Sequence, residues 1–498
     1  MQSNKKSIDK WFYIPILILA LNFLYRLIDQ SKIIKYFPFD KVNDVSSYMA
    51  QLFFLSKCGF HNFCGYWYNG FTTFSFSPPG WYFFTLPLYL LTKDVKSATY
   101  ISMILLFILG FIVIWFFGRL YKLSIIKRIA FFLFFYTNAI VIGNFIRLGR
   151  VHELFSWVMF SILAFIVIQY KDKKLDKNFL WFVPIYSIII FSYQSIAVLS
   201  TLLILGLFLV KNKKEKLFVL LATITSFILS AFWWLPFLLN IENSSILYFK
   251  QAKWLLIFTK EHLFTNIAAF IIPLVLLVLS YIYWKDTKKS RKELIFYSPI
   301  LLLAIVFLFR IIHLIPLLQN IFPDITLTFF LFFIIFLFFK INWQIYNMKI
   351  KRIIFILLII FSVTSVAINI IHTPKFMIHN EIDKDVITVL SKVEGRFIMV
   401  QEVKDEYPYS NAVYSFAPIY YNINTAGGWY HHLTNIEYLN DLDLLRNLFD
   451  SKNCNNFLDQ LNKLNISEVI SYDNSCEFLN SCGLKEKFKK GNVCLFKI

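Results

Sequence analysis

Long apolar runs separated by short basic stretches set the pattern of this chain. Runs near 11–27, 98–117, 129–146, 153–170, 217–239, 263–284, 295–313, 323–340 and 353–371 approach the length a helix needs to cross a bilayer. Residues 180–210 lie between two lysine clusters and hold two shorter crossings that turn near Tyr193 and Gln194. The pattern predicts a polytopic α-helical membrane protein with about 11 spans. Trp81–Thr92 is apolar too, but about 12 residues with Pro87 inside are too few to cross roughly 30 Å of hydrocarbon. It reads as a re-entrant or juxtamembrane helix.

From about residue 375 the periodicity changes. Apolar runs shorten to strand length at Arg396–Val400, Glu468–Ser471 and Val493–Phe496, while Tyr438–Leu448 and Asn455–Leu464 carry helical spacing. Two domains follow: residues 1–374 in the membrane, with a long loop at 28–97, and residues 375–498 as a soluble α/β or α+β domain. Gly427-Gly428-Trp429-Tyr430-His431-His432 is expected to be a loop, because two glycines punctuate it.

Charge orients this map. The 498 residues are 58% hydrophobic and carry a net charge of +20, a sign that would suggest nucleic acid in a soluble protein. Residues 375–498 hold 13 Lys and Arg against 16 Asp and Glu, so all of the positive excess belongs to the membrane part, clustered in short loops. That is the distribution the positive-inside rule requires, and nucleic acid is excluded as a partner. Lys5, Lys6 and Lys10 place the N-terminus in the cytoplasm. Trp11–Leu27 ends without a small-residue cleavage site and reads as a retained first span.

The alternation then puts the 28–97 loop and the C-terminal domain outside a plasma membrane. If Trp81–Thr92 crossed, Arg119, Lys122, Lys127 and Arg128 would fall on the wrong side. All six cysteines fall outside, where disulfides persist. Cys58–Cys64 is the expected short bridge, and Cys454, Cys476, Cys482 and Cys494 form two more whose pairing is open. The sequons at Asn243 and Asn465 also fall outside.

Candidate chemistry gathers at Phe37–Gly80. Asp40 and Asp44, four apart, can share one face as a general base or hold a divalent cation, Mg or Mn. Against this, Asp44 precedes the amphipathic helix Val45–Lys57, where an N-cap aspartate fits. A second cluster, Arg147, Arg150, His152 and Glu153, lies between the third and fourth spans. Outward arginines need a partner: a lipid phosphate, ordinary head groups, or an internal pair with Glu153. Ser77-Pro78-Pro79-Gly80-Trp81-Tyr82 opens the short helix, and Gln194 either closes a turn or lines a cavity. The eight histidines have no zinc spacing, and no P-loop, dinucleotide fingerprint or Gly-x-Ser-x-Gly occurs.

In layout, with Asp40 and Asp44 in a long first exterior loop, helix Val45–Lys57, Pro78-Pro79 and the basic loop Arg119–Arg128, the chain resembles the GT-C superfamily of membrane glycosyltransferases. Within it, SFSPPGWYFF, GRVHE, GGWY and LNISEVISY are similar to membrane proteins labelled 6-pyruvoyl-tetrahydropterin synthase-related. The zinc-binding histidines such a synthase needs are absent, so the label implies no pterin chemistry. The resemblance implies transfer of a sugar from a polyprenyl-phosphate donor to an exterior glycan or glycoprotein, with Asp44, or less favourably Asp40, as catalytic base. Arg147 and Arg150 would then meet the phosphate, Asp40, His152, Glu153, Tyr82 and Gln194 would position metal or substrate, and Trp429 and Tyr430 would hold acceptor by stacking. That arrangement requires Asp44 to face Arg147 and Arg150. The competing expectation is a non-catalytic membrane protein, a lipid-carrier flippase or envelope-assembly scaffold.

Overall fold

The computed structural model describes residues 10–40, 43–240, 250–259, 262–401 and 410–498. Lys5, Lys6 and the Asn243 sequon therefore lie outside the described residues. The chain divides into two compact units: Met1–Ile28, Met103–Trp234 and Phe249–Pro374 form one, and Asp29–Ser102, Leu235–Tyr248 and Lys375–Ile498 form the other.

The first unit is helical. Among the described residues, six helices to which it contributes are long and apolar enough to cross a membrane: Tyr13–Ile34, Val95–Leu120, Val151–Tyr170, Leu263–Asp286, Pro323–Lys340 and Met348–His372. The number reaches eight if each of two bent pairs is one span. Helices also stand at the other expected positions, at Phe182–Ile190, Gln194–Val210 and Arg291–Leu308. The chain is thus a multi-pass membrane protein by length and composition.

The bends have local causes. Between Ile125–Tyr136 and Ala139–Ile146, which meet at 50°, Asn138 accepts from the backbone N–H of Ile140 and Val141 and donates to the carbonyls of Phe134 and Phe135. One side chain therefore ends one helix and caps the next. Gly206 allows Gln194–Val210 to approach Arg291–Leu308, since a Cβ there would strike the Phe296 carbonyl.

Packing in this unit is aromatic. Val151–Tyr170 and Pro323–Lys340 are mostly buried, and Phe131, Phe135, Phe160, Phe329, Phe332 and Phe333 interleave between them and Ile125–Tyr136 at centroid separations such as 5.7, 5.4, 5.2 and 5.0 Å. In lipid, where apolar surface gains little by leaving the solvent, such close packing carries association, at about 0.5–1.5 kcal/mol per ring pair. Polar residues join the helix ends. Lys171 pairs with Glu293, and Lys292 with Asp172 at 3.1 Å. Arg26 in the first span is satisfied by Asn369, whose Oδ1 accepts from Nε at 2.6 Å and whose carbonyl accepts from Nη2 at 2.7 Å.

The second unit is built on the first loop. Val45–Lys57 was expected to be amphipathic; instead Val45 through Leu55 are all buried. It packs against Gly80–Thr92 on one side and Ala412–Tyr421 on another, so both faces are covered within the unit. A small hairpin, β1 (Phe63–Cys64) and β2 (Phe71–Thr72), follows the helix, and the Cys58–Cys64 bridge closes it. The Trp67 indole donates to the Tyr414 carbonyl at 2.7 Å, and Asn69 to that of Leu464 at 2.8 Å.

The C-terminal residues form a mixed four-stranded sheet in the order β3-β4-β6-β5, where β3 is Phe397–Met399, β4 Glu468–Tyr472, β5 Lys485–Lys490 and β6 Val493–Lys497. β3 and β4 are parallel; β6 is antiparallel to both β4 and β5. Helices Ile436–Asp450 and Cys454–Lys463 pair with each other beside it. Cys454 bridges to Cys482 and Cys476 to Cys494, pairings that cysteine spacing alone leaves open. Closing a loop of 28 residues, as the first of these does, stabilises by about 3–4 kcal/mol in the chain-entropy account.

Candidate functional site

Asp44 occupies the N-cap position of Val45–Lys57, yet its carboxylate makes no capping bond. Asn43 caps the helix instead, its Oδ1 accepting from the Val45 backbone N–H at 3.0 Å. The Asp44 carboxylate turns to the C-terminal segment, where the Trp429 indole donates to Oδ1 at 2.8 Å.

Why Trp429 arrives there follows from the two glycines before it. A Cβ on Gly427 would run into the Tyr414 ring, and one on Gly428 into the Tyr68 ring. Only glycine lets the backbone pass so close to both rings. Thr425 steadies the approach, its backbone N–H and hydroxyl both donating to the Tyr66 carbonyl at 2.9 and 2.8 Å.

Three phenols surround this carboxylate. Burial raises Tyr48 well above its ordinary value, and then Tyr430 and Asp44 raise it further. Burial does the same to Tyr82 and Tyr430, followed in each case by the charge of Asp44. All three stay protonated through the physiological range and can donate or orient. Tyr48 also meets the rings of Trp81, Tyr82 and Tyr430 at 6.1, 6.3 and 6.2 Å. The result is a half-buried carboxylate with an indole N–H on one oxygen in an aromatic wall, an arrangement suited to accepting a proton from a bound hydroxyl.

Asp40 is placed by its backbone, whose carbonyl accepts from the Ser410 hydroxyl at 3.1 Å. A divalent cation usually takes several carboxylate or carbonyl oxygens. Asp44 accepts from the Trp429 indole and lies near the Tyr48 phenol, and no group of three or more His, Cys, Asp or Glu that could hold a metal ion occurs among the described residues. No step is derived through a cation.

The His432 ring lies tilted against Tyr430, with centroids 5.2 Å apart. Burial, and then neighbouring His431, pull His432 down to about 4. In the unfolded chain it titrates near 6.5. Between those values the unfolded state binds a proton that the folded state does not, so stability present above about pH 6.5 is lost as the pH falls toward 4. The stability of the purified protein, followed by its melting temperature, should fall across that window by at most about 3–4 kcal/mol, and His432→Gln should flatten the slope. An unchanged slope in the variant would assign the effect to another group.

The second expected cluster belongs to the membrane unit. The backbone of Arg147 closes a helical turn at Gly143–Arg147; its side chain lies outside what is described. Arg150 is 7% exposed and pairs with Asp324 at 3.0 Å and with Glu153 at 3.7 Å, while its guanidinium lies 4.2 Å from the centre of the Phe322 ring. Glu153 is 0% exposed, and its Oε1 accepts from Asn144 at 3.1 Å and from Trp157 at 3.0 Å. His152 packs on Tyr193 at 4.8 Å, and Gln194 opens the helix Gln194–Val210. The arginine thus already has the internal pair with Glu153, and a second carboxylate besides.

Several residues of these groups are not visible in the sequence. Asp324, Asn144 and Trp157 bind Arg150 or Glu153 but share no motif with them. Tyr48 lies in plain view four residues after Asp44, a helical spacing that a search for phenols near the carboxylate finds.

No family model matches the chain, and no curated protein sequence matches it. Solved structures do. The chain is similar to the arabinofuranosyltransferase AftD from Mycobacteria, with a TM-score of 0.60 and 13% identity over 97% of this chain and 40% of that one. It is also similar to the archaeal oligosaccharyltransferase AglB from Archaeoglobus fulgidus, solved with an inhibitory peptide and a dolichol-phosphate, with a TM-score of 0.55 and 10% identity over 92% of this chain and 69% of that one. This chain thus has the fold of an arabinofuranosyltransferase and of an oligosaccharyltransferase. It spans 40% of the length of AftD.

Proposed function

We propose that the chain is a glycosyltransferase that moves a sugar from a polyprenyl-phosphate donor to an exterior glycan or glycoprotein. The carrying observation is Asp44, released from helix capping by Asn43 and held by the Trp429 indole among three neutral phenols. The acceptor oxygen attacks the anomeric carbon, the bond from that carbon to the phosphate oxygen breaks, and the acceptor proton passes to Asp44. The lipid phosphate leaves with the electron pair. Tyr82, Tyr430 and Trp429 line the acceptor side. Arg147 and Arg150 act on the phosphate side with His152, Glu153 and Gln194 around them; for Arg150 this means exchanging the Asp324 carboxylate for phosphate.

The fold shared with two glycosyltransferases, one of them solved with a dolichol-phosphate, supports this reading. Three disulfides support placing residues 28–97 and 375–498 outside the cytoplasm; about 11 spans and a plasma membrane complete the proposed topology. The closer likeness to the 6-pyruvoyl-tetrahydropterin synthase-related proteins rests on its four motifs. The direct test incubates the purified protein with radiolabelled polyprenyl-phosphate sugars and a membrane acceptor fraction. Label should move to acceptor; bound lipid with no transfer from any donor would favour the non-catalytic alternative.

A further inference from the structure

Arg310 stands where glycine would be cheaper. It follows the helix Arg291–Leu308 in the left-handed conformation, φ 61° and ψ 14°, which costs a side-chain-bearing residue roughly 1 kcal/mol. A helix end of this kind ordinarily takes glycine.

The Arg310 side chain is held in place. Nη1 donates to Asn266 Oδ1 at 2.7 Å, and the guanidinium lies 4.4 Å from the centre of the Phe258 ring. Asn266 is itself fixed, donating to the carbonyls of Ile257 and His262 at 2.8 and 3.1 Å. The Arg310 carbonyl meets His313 Nδ1 at 2.5 Å. No carboxylate pairs with Arg310 among the described residues, in contrast to Arg150, which has two. A guanidinium has five N–H donors, and the Asn266 bond takes one of them.

The surroundings are apolar in an unusual place. The short turns Gln251–Leu256, Ile311–Leu314 and Leu318–Asn320 pack on one another, and these connections between helices expose Phe258 at 74%, Phe309 at 68%, Leu314 at 67% and Leu317 at 70%. Connections at the end of a membrane bundle normally show polar groups to the head-group region. A guanidinium with no carboxylate partner among the described residues, set against one exposed ring on turns that expose further apolar side chains, matches an amphiphile with an anionic head. Trp254 touches Phe322 at 5.3 Å, and Phe322 underlies Arg150, so the patch adjoins the Arg150 cluster.

We infer that Arg310, held by Asn266 and Phe258, binds the phosphate of a lipid whose chain lies over Phe258, Phe309, Leu314 and Leu317. The choice of phosphate, which the planar fork can meet with two bonds, rests on the donor proposed above. The same phosphate chemistry could come from an isoprenoid, an ordinary phospholipid or the free ion, and the probes separate these.

The full chain in detergent is titrated with geranylgeranyl monophosphate, geranylgeraniol, inorganic phosphate and phosphatidylglycerol, with binding read by native mass spectrometry. The phosphorylated isoprenoid should bind best, Arg310→Gln should weaken it roughly 10- to 100-fold, and Arg310→Lys should weaken it less. Should Arg310→Gln fail to fold, Phe258→Ala on the exposed ring carries the test with a severalfold loss. Undiminished binding in these variants overturns the inference, as does equal binding of the alcohol or of free phosphate. Equal competition by phosphatidylglycerol overturns the isoprenoid assignment. Arg310-dependent binding in a protein that transfers no sugar keeps the inference and removes the enzyme reading; transfer undiminished by Arg310→Gln does the reverse.

Discussion

Asp44→Asn should lower sugar transfer by about 100- to 10,000-fold while leaving the yield and melting temperature of the protein nearly unchanged. The amide keeps the shape of the side chain, and its oxygen can still accept from the Trp429 indole, so the aromatic wall is not disturbed. What it loses is the capacity to take a proton. Because Asn43 rather than Asp44 caps Val45–Lys57, the substitution removes no helix-capping bond. A stability loss therefore would not be the explanation for lost activity. Trp429→Phe should act more mildly: the base remains but loses its orienting bond, so kcat falls while the acceptor KM holds. Transfer within a few fold of wild type in Asp44→Asn would sink the assignment of the base.

Arg150→Ala should destabilise the protein by about 3–5 kcal/mol, read as a lower melting temperature in detergent. The substitution strands two carboxylates, one of them fully buried in a helix flanked by other helices. The cost belongs to the unpaired charges rather than to the arginine, so the triple variant Arg150→Met, Glu153→Gln, Asp324→Asn should recover most of it. If Arg150→Ala leaves stability intact but abolishes binding of geranylgeranyl monophosphate, the ion pairs are incidental and Arg150 is a ligand residue. The two outcomes separate a structural cation from a substrate-binding one.

The helices are legible in the sequence because lipid imposes uniform apolarity over a set length, and helices stand at each expected span position. Where they bend is hidden, since Asn138 acts through hydrogen bonds to four neighbouring backbone groups rather than through hydrophobicity. Three of the four strands of the C-terminal sheet appear as apolar runs; β5, Lys-Glu-Lys-Phe-Lys-Lys, is masked by its own charge.

At the candidate site, Asp44 stands out in the sequence, but equally as a helix cap, because an adjacent asparagine and aspartate compete for one capping position and only geometry decides between them. Trp429 is expected to stack on acceptor, whereas its indole N–H is committed to a carboxylate 385 residues away. Arg150 is recognisable as needing a counter-charge, while Asp324, 174 residues on, has no local signal to announce it.

The β-sheet has a consequence for life in a crowded bilayer. Membrane proteins are confined to a plane, where encounters between copies are frequent and an open strand edge invites pairing from one molecule to the next. Both outer edges are closed to such pairing. Along β3, Thr425 forms a bridge to Phe397 and the Ala426 N–H donates to the Phe397 carbonyl, so the glycine segment that delivers Trp429 also covers that side. At the other end β5 carries four lysines against one glutamate and repels a copy of itself. The glycine segment that shapes the site thereby helps, together with the β5 lysines, to keep neighbouring molecules from zipping together.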